Sequence, residues 1–150
     1  MPKIIKVDRN EGYTFPKWAR KLYRRDLVAS GPVSYDLERV RIVTLKDLGA
    51  TNQIEWTGRQ LLEQAEGLGL LEKNLTVKDS RALSRITLWD NIPHHLRSGS
   101  LVLWSSVAEG HDGRESVPIV RLTSGRVILN WHYLDKIFTE SFDTPLYPEG

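Results

Sequence analysis

The stretch LVLWSSVAEGHDGRESVPIVRLTSGRVILNWHY, Leu101–Tyr133, carries the strongest structural signal in the chain. Three apolar runs, Leu101–Val107, Val117–Leu122 and Arg126–Tyr133, are separated by Gly110-His-Asp-Gly113 and Thr123-Ser-Gly125. Short runs rich in β-branched and aromatic residues, bounded by glycine turns, read as strands joined by hairpins. Pro118 lacks an amide donor, which suits a strand's beginning or an edge. The expectation is a three-stranded antiparallel meander. In its last strand Leu129, Trp131 and Tyr133 share one face, and Ile128, Asn130 and His132 line the other.

Upstream the period changes. From Thr57, Leu61, Leu62, Ala65 and Leu68 recur at helical spacing, and Gly67 and Gly69 end the helix. Thr76 or Asp79 caps a further helix through Ile86, and a short one occupies Pro93 to Arg97. Val33 to Leu45 reads as a strand. Thr14-Phe-Pro16 reads as a helix start, with the helix running to about Val28 before the breakers Ser30-Gly-Pro32. The expected fold is therefore α+β: an antiparallel sheet, made of the C-terminal meander plus one or two N-terminal strands, packed against three to four helices. It fills a single domain over residues 1–150, with 1–12 as an arm or short strand and 140–150 as an irregular tail.

Composition narrows the chemistry. The chain has no Cys, which excludes disulfides, zinc–thiolate sites and cysteine nucleophiles. No segment approaches the ~18 apolar residues of a membrane helix, and the N-terminus is too polar for a signal peptide. The expectation is a cytoplasmic protein with no membrane partner. The net charge of +2 conceals a split: residues 1–50 carry 11 Lys/Arg against 6 Asp/Glu, and residues 51–150 carry 10 against 13.

Five features are candidates for function. First, on a helix, Lys17, Arg20, Lys21 and Arg24 would share one side and Trp18, Ala19, Leu22 and Tyr23 the other, packed on the sheet. A basic stripe of this kind can contact phosphates or an acidic protein surface, although charge runs are ordinarily solvated faces. Second, Thr57 to Ile86 partly fits a helix-turn-helix, with Lys78, Arg81 and Arg85 on one face of its second helix. Glu63, Glu66, Glu72 and Asp79 nearby argue against phosphate contact. Third, His94, His95, His111 and His132 lack the spacing of a metal motif. Fourth, Gly110-His-Asp-Gly-Arg-Glu115 holds acid–base residue types but reads as a polar turn. Fifth, Trp131 and Tyr133 could stack on bases or grip a partner, with core burial of Trp131 as the competing reading.

No catalytic, cofactor or metal signature emerges. The expectation is a small non-catalytic binding or accessory protein whose basic helix contacts an acidic macromolecule, nucleic acid or protein, without cofactor or metal. One alternative is a protein–protein module in which those charges are incidental. Another is an enzyme whose site is assembled from distant polar residues.

Overall fold

Val117, Ile119, Val120 and Leu122 leave neither face of their segment polar, as expected of a strand covered on both sides. In the computed structural model, which describes residues 3–10, 16–49, 55–86, 92–123, 126–139 and 141–149, that segment is central. The strands and helices run β1 (Ile4–Lys6), β2 (Ala19–Leu22), α1 (Arg25–Ala29), β3 (Ser34–Asp36), β4 (Arg41–Val43) and α2 (Gly58–Gly67). They continue with α3 (Val77–Ser84), β5 (Ser100–Val102), β6 (Ala108–Gly110), β7 (Glu115–Thr123), β8 (Arg126–Tyr133) and β9 (Phe142–Leu146).

A seven-stranded mixed sheet has the order β2-β6-β7-β5-β9-β4, with β8 along the remaining edge of β7. β1 and β3 form a separate two-stranded antiparallel sheet. β8 pairs with β7 from Ser116↔Tyr133 to Thr123↔Arg126. On the other edge of β7, β5 pairs through Val102↔Ile119 and β6 through Ala108↔Ser116. Between those pairs Leu103–Val107 stands opposite only Val117 and Pro118. The surplus coils into the 3-10 turn Trp104–Ser106, which buries Trp104 with its Nε1 donating to Thr144 Oγ1 at 2.8 Å.

Alternation along β7 and β5 divides the core in two. Leu101, Leu103, Val120 and Leu122 face one way, with Val77 and Leu83 of α3, Val28 of α1, and Ile5 and Tyr35 of the small sheet. Val102, Trp104, Val117 and Ile119 face the other way, with Leu61, Leu62 and Ala65 of α2 and with Phe138. Both long helices begin on capping boxes, Thr57 with Gln60 and Thr76 with Asp79. Gly69, at φ +71°, follows α2 in the left-handed region.

The expected fold class is overturned in its main terms. The chain is strand-rich, and its sheet is mixed because β9 runs parallel to β5 through Ser100↔Phe142 and Leu101↔Asp143. The expected helix to Val28 is instead strand β2, paired with β6, followed by the five-residue α1. Residues 11–15, where that helix was to begin, lie outside the described residues. Pairing with β6, across a register shift between Ala19 and Lys21, overrides helical spacing. The expected strand over Val33 to Leu45 divides between two sheets, because Asp36 accepts from Glu38 N and starts a 3-10 turn over Leu37–Arg39. The expected irregular tail contains β9, which lies between β5 and β4. Pro145 stands opposite Ile42 in the ladder, and its carbonyl accepts from Leu75 N at 3.1 Å and Asn74 Nδ2 at 2.8 Å. Among the described residues, no helix is long and apolar enough to cross a membrane.

Candidate functional site

The sequence-derived basic residues do not share a helix face. Lys17, Arg20, Lys21 and Arg24 lie on β2 or beside it. Arg20 Nη2 donates to Glu109 Oε2 of β6 at 2.7 Å, and that carboxylate holds the guanidinium pKa above its ordinary value. Arg24 Nη2 donates to Glu66 Oε2 of α2 at 2.6 Å. Lys21 Nζ stands 4.8 Å from the centroid of the Tyr23 ring. Trp18, placed by the helical reading on the buried side, is 38% exposed.

The helix-turn-helix reading fails on packing. Its two helices bury their apolar sides in different cores, α2 against Val102 and Ile119 and α3 against Leu101 and Val120. Lys78 Nζ donates to the Arg9 carbonyl at 2.5 Å, while Arg81 and Arg85 are exposed.

Asp79, read from sequence as a cap or a stray acid, is 0% exposed. Its Oδ1 accepts from Arg9 Nη2 at 3.0 Å and Tyr35 OH at 2.7 Å. Its Oδ2 accepts from Arg9 Nη1 at 3.2 Å, Thr76 N at 2.8 Å and Tyr147 OH at 2.5 Å. Burial pulls the Arg9 guanidinium down, and Asp79 more than offsets this, so Arg9 lies above its ordinary value. Burial, reinforced by the Asp79 charge, pushes both phenols well above the ordinary tyrosine value. The carboxylate is fully engaged by protein donors, so the cluster joins the N-terminal segment, α3 and the C-terminal segment. Only its Thr76-x-x-Asp79 cap had a sequence signal.

The histidines do not converge. His95 Nε2 donates to the Val40 carbonyl at 2.8 Å. His132 lies against Phe138 and Phe142, with centroids 6.1 and 5.5 Å away, and burial lowers its pKa. Among the described residues no group of three His, Cys, Asp or Glu could hold a metal ion.

The polar turn and the aromatic strand do come together. Trp18 precedes β2, Gly110 ends β6, Ser116 lies on β7, and Trp131 and Tyr133 lie on β8, so four adjacent strands supply one cleft of about 370 Å³. His111, Asp112 and Arg114 of the turn complete its lining. Small residues form its middle: a Cβ on Gly110 would lie 2.9 Å from Asp112 Oδ1 and 3.4 Å from Trp18 Cε3. The Trp18 and Trp131 rings meet with centroids 5.2 Å apart and planes at 85°. The Arg114 guanidinium lies 3.3 Å from the Tyr133 ring centroid and donates to both Asp135 oxygens, at 3.1 and 3.3 Å. Arg114 also borders a neighbouring cleft of about 440 Å³ lined by Thr57, Arg59, Glu115 and Asp135, where Arg59 and Glu115 pair. His111 and Ser116 both line the first cleft, and no hydrogen bond joins them. Comparison with protein-family models, curated proteins and solved structures finds no match to this chain.

Proposed function

We propose that this chain is a non-catalytic protein-binding module that docks its partner in the aromatic cleft of Trp18, Trp131 and Tyr133. The observation that carries the reading is that Trp18, from the segment before β2, meets Trp131 and Tyr133 of β8 in one cleft, with Trp18 and Tyr133 38% and 37% exposed. Tyr, Trp and Arg are the residues that anchor protein interfaces, because each offers large contact area with a polar handle. The basic residues fit the reading in which their charge is incidental, since Arg20 and Arg24 are each engaged by a carboxylate of the same chain. Without a nucleophile and base in hydrogen-bond reach, the cleft offers binding rather than acid–base chemistry.

The test is a titration of short acidic, basic and aromatic peptides, beside a single-stranded oligonucleotide, at two salt concentrations. Binding of a peptide that Trp18→Ala abolishes and Arg20→Ala/Arg24→Ala leaves intact is expected. Oligonucleotide binding that falls steeply with salt and disappears in the Arg20/Arg24 double variant would overturn the reading, because that is the behaviour of phosphate neutralisation.

A further inference from the structure

Three strands end the pairing of the mixed sheet: β2, β4 and β8. β4 has three residues, and β2 has four, with a register shift and with Arg20 and Lys21 along it. Shortness, irregularity and charge are the devices that keep a sheet edge from pairing with another chain. β8 is built differently. It runs eight residues, Arg126–Tyr133, in unbroken register on β7, and no Pro, Gly or Lys interrupts it.

The ladder fixes which backbone groups point outward. Leu134 N donates to the Glu115 carbonyl at 2.9 Å, so the pairs that exchange hydrogen bonds are Val117↔His132, Ile119↔Asn130 and Arg121↔Ile128. The N–H and C=O groups of Val127 and Leu129 therefore face away from β7, and among the described residues no hydrogen bond takes them up. Their side chains are half-buried at the margin of the first core. The opposite face of the strand is basic at its start. Arg126, and Arg121 across from Ile128, lie on that face, are exposed and have no carboxylate partner among the described residues.

We infer that an extended segment of the protein partner adds to β8 as an antiparallel strand, exchanging hydrogen bonds with Val127 and Leu129, with apolar side chains beside theirs and acidic ones facing Arg121 and Arg126. In strand addition the main-chain bonds supply affinity and the alternate side chains supply specificity. The inference rests on the protein-binding reading and extends the docking surface from the cleft, at the Tyr133 end of β8, along the edge of that strand. A second copy of this chain fits the edge less well. Outward-facing residues pair with outward-facing ones, so Arg126 would stand opposite Ile128, Asn130, His132, Leu134 or Lys136 of that copy, according to register, and never opposite a carboxylate.

The experiment titrates the full chain with the end-capped peptide Ser-Thr-Val-Thr-Val-Glu-Val-Glu, following hydrogen exchange at the Val127 and Leu129 amides and the indole resonance of Trp18. Antiparallel addition places its valines opposite Val127, Leu129 and Trp131 and its glutamates opposite Ile128 and Arg126. Exchange at Val127 and Leu129 is expected to slow about tenfold or more at saturation. N-methylation of the valines, whose N–H groups face β8, is expected to abolish binding, and N-methylation of the threonines, whose N–H groups face away, to leave it. Arg126→Glu, at an exposed position, is expected to weaken binding about fivefold, and lysine in place of the peptide's glutamates to restore it. Protection of Val127 and Leu129 that survives Trp18→Ala would support strand addition and overturn the cleft. Equal effects of the two N-methylations, or binding that shifts Trp18 and leaves exchange at Val127 and Leu129 unchanged, would overturn strand addition and leave the cleft standing. Protection of both amides in the free chain that grows with its own concentration would overturn it in favour of a second copy. No binding by this peptide or by those above would overturn both readings.

Discussion

Replacing Asp79 by Asn removes one charge and changes almost no volume, and the consequence can be worked from the cluster around it. Each carboxylate oxygen accepts at least two donors: Arg9 and Tyr35 at Oδ1, and Arg9, Thr76 and Tyr147 at Oδ2. An amide has one accepting oxygen, and its NH2 group must face donors whichever way it is flipped. Arg9 is left as a buried cation without a counter-charge. Breaking a buried pair from one side costs about 3–5 kcal/mol. Arg9 keeps its bonds to the Pro32 carbonyl, from Nε at 3.0 Å and Nη2 at 2.6 Å, which places the cost toward the lower end. A loss of about 3 kcal/mol is a large part of a domain's typical total of roughly 5–15 kcal/mol. For a chain of this length it lowers Tm by roughly 10 °C. Urea unfolding of both proteins measures it, with the slope of the transition expected to stay constant. Tyr147→Phe, which deletes a single donor, should cost about 1–2 kcal/mol, and the Asp79/Tyr147 double variant should fall short of the sum. A loss below about 1 kcal/mol for Asp79→Asn, with the slope unchanged, would refute the account of Asp79 as a charged tie between distant segments.

Gly31→Ala should destabilise by roughly 2 kcal/mol: φ is +121°, and the new Cβ would lie 2.8 Å from Arg9 Nη2 and 2.9 Å from the Tyr147 hydroxyl. Thermal melts read this directly, and an unchanged Tm would contradict the close approach. In alkali, Tyr35 and Tyr147 should resist ionisation until the chain unfolds. Their folded pKa values are raised, so the folded state retains protons that the unfolded state gives up; the stability they contribute is full below about pH 10 and is lost as pH rises above it. An ultraviolet titration in which all phenols ionise together near their ordinary pH, before any loss of structure, would count against this. Arg20→Ala/Arg24→Ala should leave Tm nearly unchanged, because both ion pairs lie at the solvated surface.

What the sequence disclosed followed from locality. The pairing of β7 with β8 was readable because each is a short run rich in β-branched and aromatic residues and the two are separated by only Ser124 and Gly125. The starts of α2 and α3 were readable near Thr57 and at Thr76 or Asp79 because a helix start is marked within a few residues; the structure shows capping boxes at Thr57 and Thr76. Elements that owe their conformation to distant partners were not readable. β9, Phe-Asp-Thr-Pro-Leu, has little intrinsic strand character; it is extended because Arg41–Val43, a hundred residues earlier, and Ser100–Leu101 hydrogen-bond to its two edges. β2 has helical spacing and many charges, and it is a strand because β6 supplies a ladder and Glu109 receives Arg20. The partners of Asp79 come from residues 9, 35 and 147, so no window along the sequence contains the cluster.

The cleft shows why the site was visible only in fragments. Trp131 and Tyr133 were assigned to one strand face from alternation alone, and the glycine-bounded turn was recognised as polar. Neither fact says that they meet. Their meeting depends on the lateral order β2-β6-β7-β8, which brings Trp18 across two small positions to the Trp131 ring. Along β8, Val127, Leu129 and Trp131 pack on the first core, and Ser116, opposite Tyr133, is too small to extend it. Among the described residues, the covering of this sheet face ends here on the exposed rings of Trp18 and Tyr133. A core margin that ends on exposed aromatic rings loses the stabilisation that burial would give them, unless a partner restores it.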